Sequence, residues 1–261
     1  MISISKKDIH KADFDCIPID ESWNVAKQKE LKMHRIHAYP AKFPSFITQK
    51  ALEYASSQGI KTKRIADIFC GCGTVALEAR RHNVDFWGCD INPVATLIAK
   101  TKSRKYQQGR IQSYYQEILS SFKNKKVITN HYKTANERLK YWYAKKQYND
   151  LFHLKSAIEN STSPKSDYRL FFICAFSNIL KPTSRWLTKS IKPQLDPSKK
   201  PADVITSFIN QVQFMIDANA ENDIPGNSSN VICNTDFLGD TKCSKVDVIV
   251  TSPPYVTSYE Y

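Results

Sequence analysis

Residues 64–90 constrain the fold of this chain more than any other stretch. Arg64-Ile65-Ala66-Asp67-Ile68-Phe69-Cys70 is an apolar run of strand length, Gly71-Cys72-Gly73-Thr74 is a glycine turn, and Val75 to about Arg81 has helical spacing. A strand, a glycine turn and a helix in that order form the nucleotide-binding arrangement of a parallel α/β sheet. The glycines permit a tight turn and close approach of the backbone to a ligand. Asp67 stands where it can meet the charged amino-acid end of such a ligand. Val84 to Asp90 reads as a second strand, and Ile91-Asn92-Pro93 starts a helix running from Val94 to about Lys102. Asp90 follows the glycines by about twenty residues, the spacing at which a carboxylate meets ribose hydroxyls. No G-x-G-x-x-G is present, so a nucleoside ligand without a pyrophosphate fits better than a dinucleotide.

A second apolar run, Val246 to Val250, is broken only by Asp247 and reads as a buried strand. Thr251-Ser252-Pro253-Pro254-Tyr255 follows it. Pro253 has no N–H, and each proline pushes its predecessor into an extended conformation. The expectation is a rigid loop at the carboxyl end of a strand, where open α/β sheets place their ligands. It offers the Ser252 hydroxyl, freed carbonyls and the Tyr255 ring, which suit a flat base with an exocyclic amino group. An ordinary proline turn has the same local pattern. Val231 to Asp236 reads as a third short strand ending in an acid, which can accept from a ligand's amino group or cap a turn.

The remaining chain has other character. His34 to Pro44 carries two prolines four apart with aromatics beside them, an extended segment leading to a helix from Phe46 to about Ser56 that Ser45 can cap. Residues 103–225 show helical spacing over Ile111–Phe122, Ala135–Tyr148, Leu151–Ile158, Asp167–Leu180 and Ala202–Ala218. The organisation expected is an N-terminal arm (1–33), a part carrying the glycine turn (34–102), a large helical insertion (103–225), and a part carrying the proline loop (226–261). The fold class is α/β.

Charge narrows the partners. The chain has 38 basic and 25 acidic residues, a net charge of +13, which favours a polyanion such as DNA or RNA and also serves plain solubility. From Lys100 to Lys146 there are 13 Lys/Arg against Glu117 and Glu137, interleaved with Tyr106, Tyr114, Tyr115, Tyr132, Tyr141, Trp142 and Tyr143. Phosphate contact with base stacking, or a solvated helix face with its aromatics in the core, both fit. The seven cysteines match no zinc spacing, so no metal site is expected. Cys70, Cys89 and Cys233 read as small core residues, which points to a reducing cytoplasm. No run has the length of a signal sequence or a membrane span.

Taken together these segments resemble the S-adenosylmethionine-dependent amino-methylating DNA methyltransferases. His37-Ala38-Tyr39-Pro40-Ala41-Lys42-Phe43-Pro44 is similar to the family's N-terminal motif H-P-A-K-F-P, with Ala-Tyr inserted before the first proline. Asp67 to Thr74 resembles the glycine motif, Gly88-Cys89-Asp90-Ile91-Asn92-Pro93 the ribose-binding segment, and Asn234-Thr235-Asp236 the segment whose acid contacts the adenine of the cofactor. Thr251-Ser252-Pro253-Pro254-Tyr255 resembles the catalytic motif. The resemblance implies a Rossmann-like methyltransferase sheet, S-adenosyl-L-methionine as cofactor, and double-stranded DNA as partner. It implies cofactor contacts from Phe43, Asp67, Phe69, Gly71, Gly73, Thr74, Asp90, Asn92 and Asp236. Ser252, Pro253, Pro254 and Tyr255 would be the catalytic residues. Serine in first place of the catalytic motif implies methylation of cytosine N4, with restriction–modification as the setting. Adenine N6 or RNA as target, and a non-catalytic cofactor- or DNA-binding half of a split enzyme, remain open. The family fold has a further helix and more strands after the catalytic loop, so the expectation is an incomplete sheet, from truncation or from completion by a second polypeptide.

Overall fold

The computed structural model describes residues 23, 30–40, 42, 44–124, 130–187, 189, 190, 192–239, 243 and 245–253, and the structural statements below concern these. Two central strands, β1 (Arg64–Asp67) and β2 (Asp85–Asp90), are covered on both faces: Ile65, Ala66, Phe86, Trp87 and Cys89 are all buried. That is why their sequences read as apolar runs rather than as alternation. β3 (Asn230–Asn234) and β4 (Val248–Ile249) complete a sheet in the order β3-β2-β1-β4, every pair parallel. The chain moves outward from β1 through β2 to β3, then crosses back to lay β4 on the other side of β1. This α/β fold is consistent with the Rossmann-like methyltransferase sheet that the resemblance implies.

Eight helices are seen among the described residues. α1 (Phe46–Ser57) packs on α2 (Thr74–Arg81), and α3 (Pro93–Lys102) packs on β2 and β3. Between α3 and β3 lie α4 (Gln108–Lys123), α5 (Glu137–Trp142), α6 (Lys145–Ser161), α7 (Asp167–Ile179) and α8 (Val204–Glu221). The apolar faces of α4, α6, α7 and α8 share one core with α2 and α3: Leu77 and Ile98 are buried with Ile111, Ile118, Leu154, Phe171, Phe172, Phe208 and Met215. The short helical turn Lys32–Arg35 is drawn onto this core by Met33, and His34 Nε2 meets Glu78 Oε1 of α2 at 2.7 Å.

Several local expectations are corrected. The helix expected over 135–148 is broken at Tyr143 and Ala144, both extended, and its second half joins the 151–158 segment as α6. Burial explains the break: Tyr143 packs against the main core and its hydroxyl reaches the Leu180 carbonyl at 3.3 Å. Ser45 makes no capping bond, because it already has helical φ and ψ. β4 is shorter than expected and is not buried. Ile249 is 58% exposed, since β4 pairs with β1 and, among the described residues, nothing pairs with its outer edge.

The aromatic residues of the basic stretch differ in burial. Tyr106 and Tyr115 are core residues, whereas Tyr141 is exposed and Trp142 stacks on Trp186 at 5.4 Å between ring centres. Lys102 is not a surface cation at all; it is buried, with Nζ 3.5 Å from Cys72 Sγ. No helix among the described residues is long and apolar enough to cross a membrane.

Candidate functional site

Where strand order reverses in an open parallel sheet, the loops at the carboxyl ends of adjacent strands diverge and leave a crevice. Here that point lies between β1 and β4. A cavity of about 190 Å³ opens there. It is lined by the turn after β1 (Ile68 to Cys72, with Thr74), the turn after β2 (Asp90, Ile91, Asn92), the turn after β3 (Thr235, Asp236, Phe237), and Ser252 and Pro253 after β4.

The glycine turn is held from the neighbouring strand. The Gly71 N–H donates to Asp90 Oδ2 at 2.8 Å, and the Asn92 N–H donates to Asp90 Oδ1, also at 2.8 Å. Each carboxylate oxygen has a second lone-pair site, so Asp90 can hold these two amides and still accept ligand hydroxyls. Asn92 caps α3: its Oδ1 accepts from the Val94 N–H at 2.9 Å. Gly71 and Gly73 both have left-handed backbone, at φ 46° and 74°. Only Gly71 lines the cavity; a β-carbon there would meet nothing closer than Tyr39 Cε1 at 3.7 Å. At Gly73 a β-carbon would lie 2.5 Å from Ala99 Cβ, so this glycine allows α2 to start against α3.

The two later turns are tied to the first two. The Asn234 side chain donates to the Asp90 and Ile91 carbonyls at 2.9 and 3.0 Å, which draws the turn carrying Asp236 beside Asp90. Asp236 Oδ1 accepts from the Leu238 N–H at 2.9 Å. Asp247, the polar interruption in the last apolar run, accepts from the Lys63 and Arg64 amides at 2.8 and 2.9 Å and so sets β4 in register with β1. At the other end Thr251 Oγ1 donates to Asp67 Oδ1 at 2.8 Å, and the Phe69 N–H donates to the same oxygen at 3.2 Å. Asp67 is 1% exposed, and burial, assisted by the nearby Asp90 charge, raises its pKa to about 7.

The outer wall comes from the His37–Pro40 segment. The Ala38 N–H donates to Asn178 Oδ1 at 3.0 Å and His37 Nε2 lies 3.1 Å from Ser177 Oγ, so the end of α7 holds Tyr39 and Pro40 over the cavity. Lys42 also lines it, with Nζ bound to Glu30 at 2.6 Å and to the His34 carbonyl at 3.1 Å.

Of the residues singled out in the sequence, Phe69, Gly71, Thr74, Asp90, Asn92, Asp236, Ser252 and Pro253 converge on this one cavity. Asp67 and Gly73 lie behind it, one joining β1 to the Thr251 loop and the other joining two helices. Phe43, Pro254 and Tyr255 lie outside the described residues. The sequence reading passed over Tyr39, Ile68, Ile91 and Phe237, which supply apolar wall. For two of them the signal is position: Ile91 follows the acid that ends β2, and Phe237 follows the acid in the turn after β3. Ile91 is 66% exposed, so its side chain is open to a ligand in the cavity.

These features fit a nucleoside-type ligand. The cavity has a glycine turn with room for close backbone approach, two carboxylates on adjacent turns, and apolar faces between them. Among the described residues no group of His, Cys, Asp and Glu is arranged to hold a metal ion.

Comparison with known proteins gives the same direction. A family model described as DNA methylase, for N6 and N4 methyltransferases, matches residues 5–101. The Type II methyltransferase M.MvaI of Kocuria varians is 24% identical over 246 residues, covering 87% of this chain and 54% of its own length. The Type II methyltransferase M.MjaII of Methanocaldococcus jannaschii is 27% identical over 107 residues, 39% of this chain and 20% of its own length. The chain thus spans about half the length of the first relative and a fifth of the second. No solved structure matches it significantly. The family match and the M.MvaI relative support the amino-DNA methyltransferase family that the motifs resemble.

Proposed function

We propose that this chain binds S-adenosylmethionine in the cavity at the carboxyl ends of β1 to β4 and presents the Ser252–Pro253 turn to an amino group of double-stranded DNA. It would be all or part of a Type II amino-methyltransferase acting in the cytoplasm in restriction–modification. The observation that carries this is the sharing of one cavity by the glycine turn, Asp90, Asp236 and Ser252–Pro253.

When bound, the cofactor supplies an electrophilic methyl group on a sulfonium. The chain's own residues bind and orient. Asp90 has lone pairs left for ribose hydroxyls, and Asp236 can accept from an exocyclic amine. Phe69, Ile91 and Phe237 offer flat or apolar cover for a base. The Ser252 hydroxyl and the Pro253 carbonyl can both accept from the N–H groups of the target amine, which turns its lone pair toward the cavity and increases its nucleophilicity. Tyr255 would stack on a base flipped out of the duplex. Rate enhancement on this scheme comes from positioning, and no cysteine nucleophile is required.

Serine at position 252, on the family resemblance, favours cytosine N4 over adenine N6. Incubating the chain with methyl-tritiated cofactor and duplex DNA, then separating the nucleosides, tests this directly. N4-methylcytosine is the expected product; N6-methyladenine would overturn the choice of base, and labelling of RNA alone would overturn the choice of polymer. Saturable cofactor binding with no transfer to any of these would favour a non-catalytic half of a split enzyme.

A further inference from the structure

A second cavity, of about 320 Å³, lies at the other edge of the sheet. Arg80 belongs to the last turn of α2, just before β2, and Gly226 precedes β3, so this cavity sits at the amino ends of the strands. The first cavity sits at the carboxyl ends. Its walls include Arg80, Arg104, Lys105, Asp167 and the rings of Tyr106 and Tyr168. Three cations therefore face one carboxylate.

The charges are unequally used. Arg104 pairs with Asp167. Lys105 Nζ binds the carbonyls of Asn219 (3.0 Å) and Asn222 at the end of α8, where a cation complements the helix dipole. Arg80 donates only to the neutral Ser228 hydroxyl at 3.0 Å, and among the described residues no carboxylate forms an ion pair with it. The Nε atoms of both Arg80 and Arg104 are buried without a hydrogen-bond partner. Burial and then the like charge of Arg104 lower the Arg80 pKa, and the Asp85 carboxylate offsets this only in part. Both side chains are partly exposed, so an oxyanion entering the cavity can satisfy these two Nε–H donors.

We propose that this cavity is a binding site for a phosphate group, held by Arg80 and Arg104 with Lys105 supplying field rather than contact. A tetrahedral oxyanion can take donors from two guanidinium forks at once, which one small carboxylate does less well. The phosphate belongs either to a free phosphate or phosphomonoester or to a nucleic-acid backbone. In the second case it is a segment distant from the one whose base enters the first cavity.

Calorimetric titration of inorganic phosphate at constant ionic strength, with chloride as the balancing ion, tests the site without reference to methyl transfer. One saturable site is expected, together with a rise in Tm in phosphate over chloride. Arg80→Gln should weaken binding at least tenfold and Arg80→Lys less, with circular dichroism confirming the fold. Absence of saturable binding in the unmutated chain, or Arg80→Gln binding within twofold of it, overturns the proposal. Duplex DNA titrated across a salt series separates the sources. A slope of log K against log salt that falls by about one in Arg80→Gln identifies the backbone. An unchanged slope with phosphate binding lost identifies a free phosphate.

Discussion

The Thr251 hydroxyl donates to Asp67 Oδ1 at 2.8 Å, joining residues separated by 184 positions in the chain. Together with the Val250 N–H, which donates to the Ala66 carbonyl at 2.9 Å, this bond fastens the loop carrying Ser252 and Pro253 to the strand that leads into the glycine turn. Thr251→Val keeps the β-branched shape and removes the donor. It leaves Asp67 with the Phe69 amide alone, and unfolding in urea should show a loss of about 1–3 kcal/mol. Cofactor affinity, measured by calorimetry, should fall less than it does on changes to Asp90. Unaltered stability in Thr251→Val would show that the bond does not hold the loop.

Asp67 also makes stability depend on pH. Its pKa is about 7 in the folded chain, above its ordinary value of 3.8, so the folded state holds the proton over the range in which the unfolded state has released it. The contribution to stability is fully present below about pH 3.8, declines as pH rises, and is gone above about pH 7. At about 1.4 kcal/mol per pH unit the change is on the order of a few kcal/mol. Asp67→Asn should flatten urea-derived stability between pH 3.8 and about 7, the range these two values bound. A profile as steep in the variant as in the parent would place the proton elsewhere.

The two glycines of the turn should separate binding from folding. Gly73→Ala sets a β-carbon 2.5 Å from Ala99 Cβ in left-handed backbone, and should cost about 3 kcal/mol or more, read as a fall in Tm. Gly71→Ala meets only an ordinary contact with Tyr39 and should cost about 1–2 kcal/mol from backbone strain. Its larger effect should be on ligand affinity, since Gly71 lines the cavity. Equal Tm losses for the two variants would contradict this division.

Asp90 is expected to matter most for binding. Asp90→Ala removes the acceptor for the Gly71 and Asn92 amides as well as any ligand hydroxyl. One or two charge-assisted bonds to ligand hydroxyls at about 1.5–3 kcal/mol each, with the glycine turn loosened as well, make a loss of cofactor affinity of about 10-fold or more. Asp90→Asn retains one acceptor oxygen and should fall between. Calorimetry giving an Asp90→Ala affinity within threefold of the parent would remove this residue from the site.

Much of the site was legible because its parts are local. The Asp67–Thr74 turn, Asp90 after β2, Asp236 after β3 and Ser252 after β4 each announce themselves through a strand's end, a glycine or a proline. Those signals depend on allowed backbone angles and missing donors, which a residue carries wherever it is. The sequence could also show an α/β chain with a long helical segment, since apolar spacing of two periods is written in consecutive residues. What it could not show is which turns meet. That depends on the order β3-β2-β1-β4, decided by packing between strands far apart in the chain and by bonds such as Asp247 to the Lys63 and Arg64 amides. The same limit hid the break at Tyr143, whose burial against a distant core overrides its helical neighbours, and the unequal roles of Gly71 and Gly73. Local chemistry set the pieces of this protein, and long-range packing, where each contact depends on both partners' positions, decided which of them share a cavity.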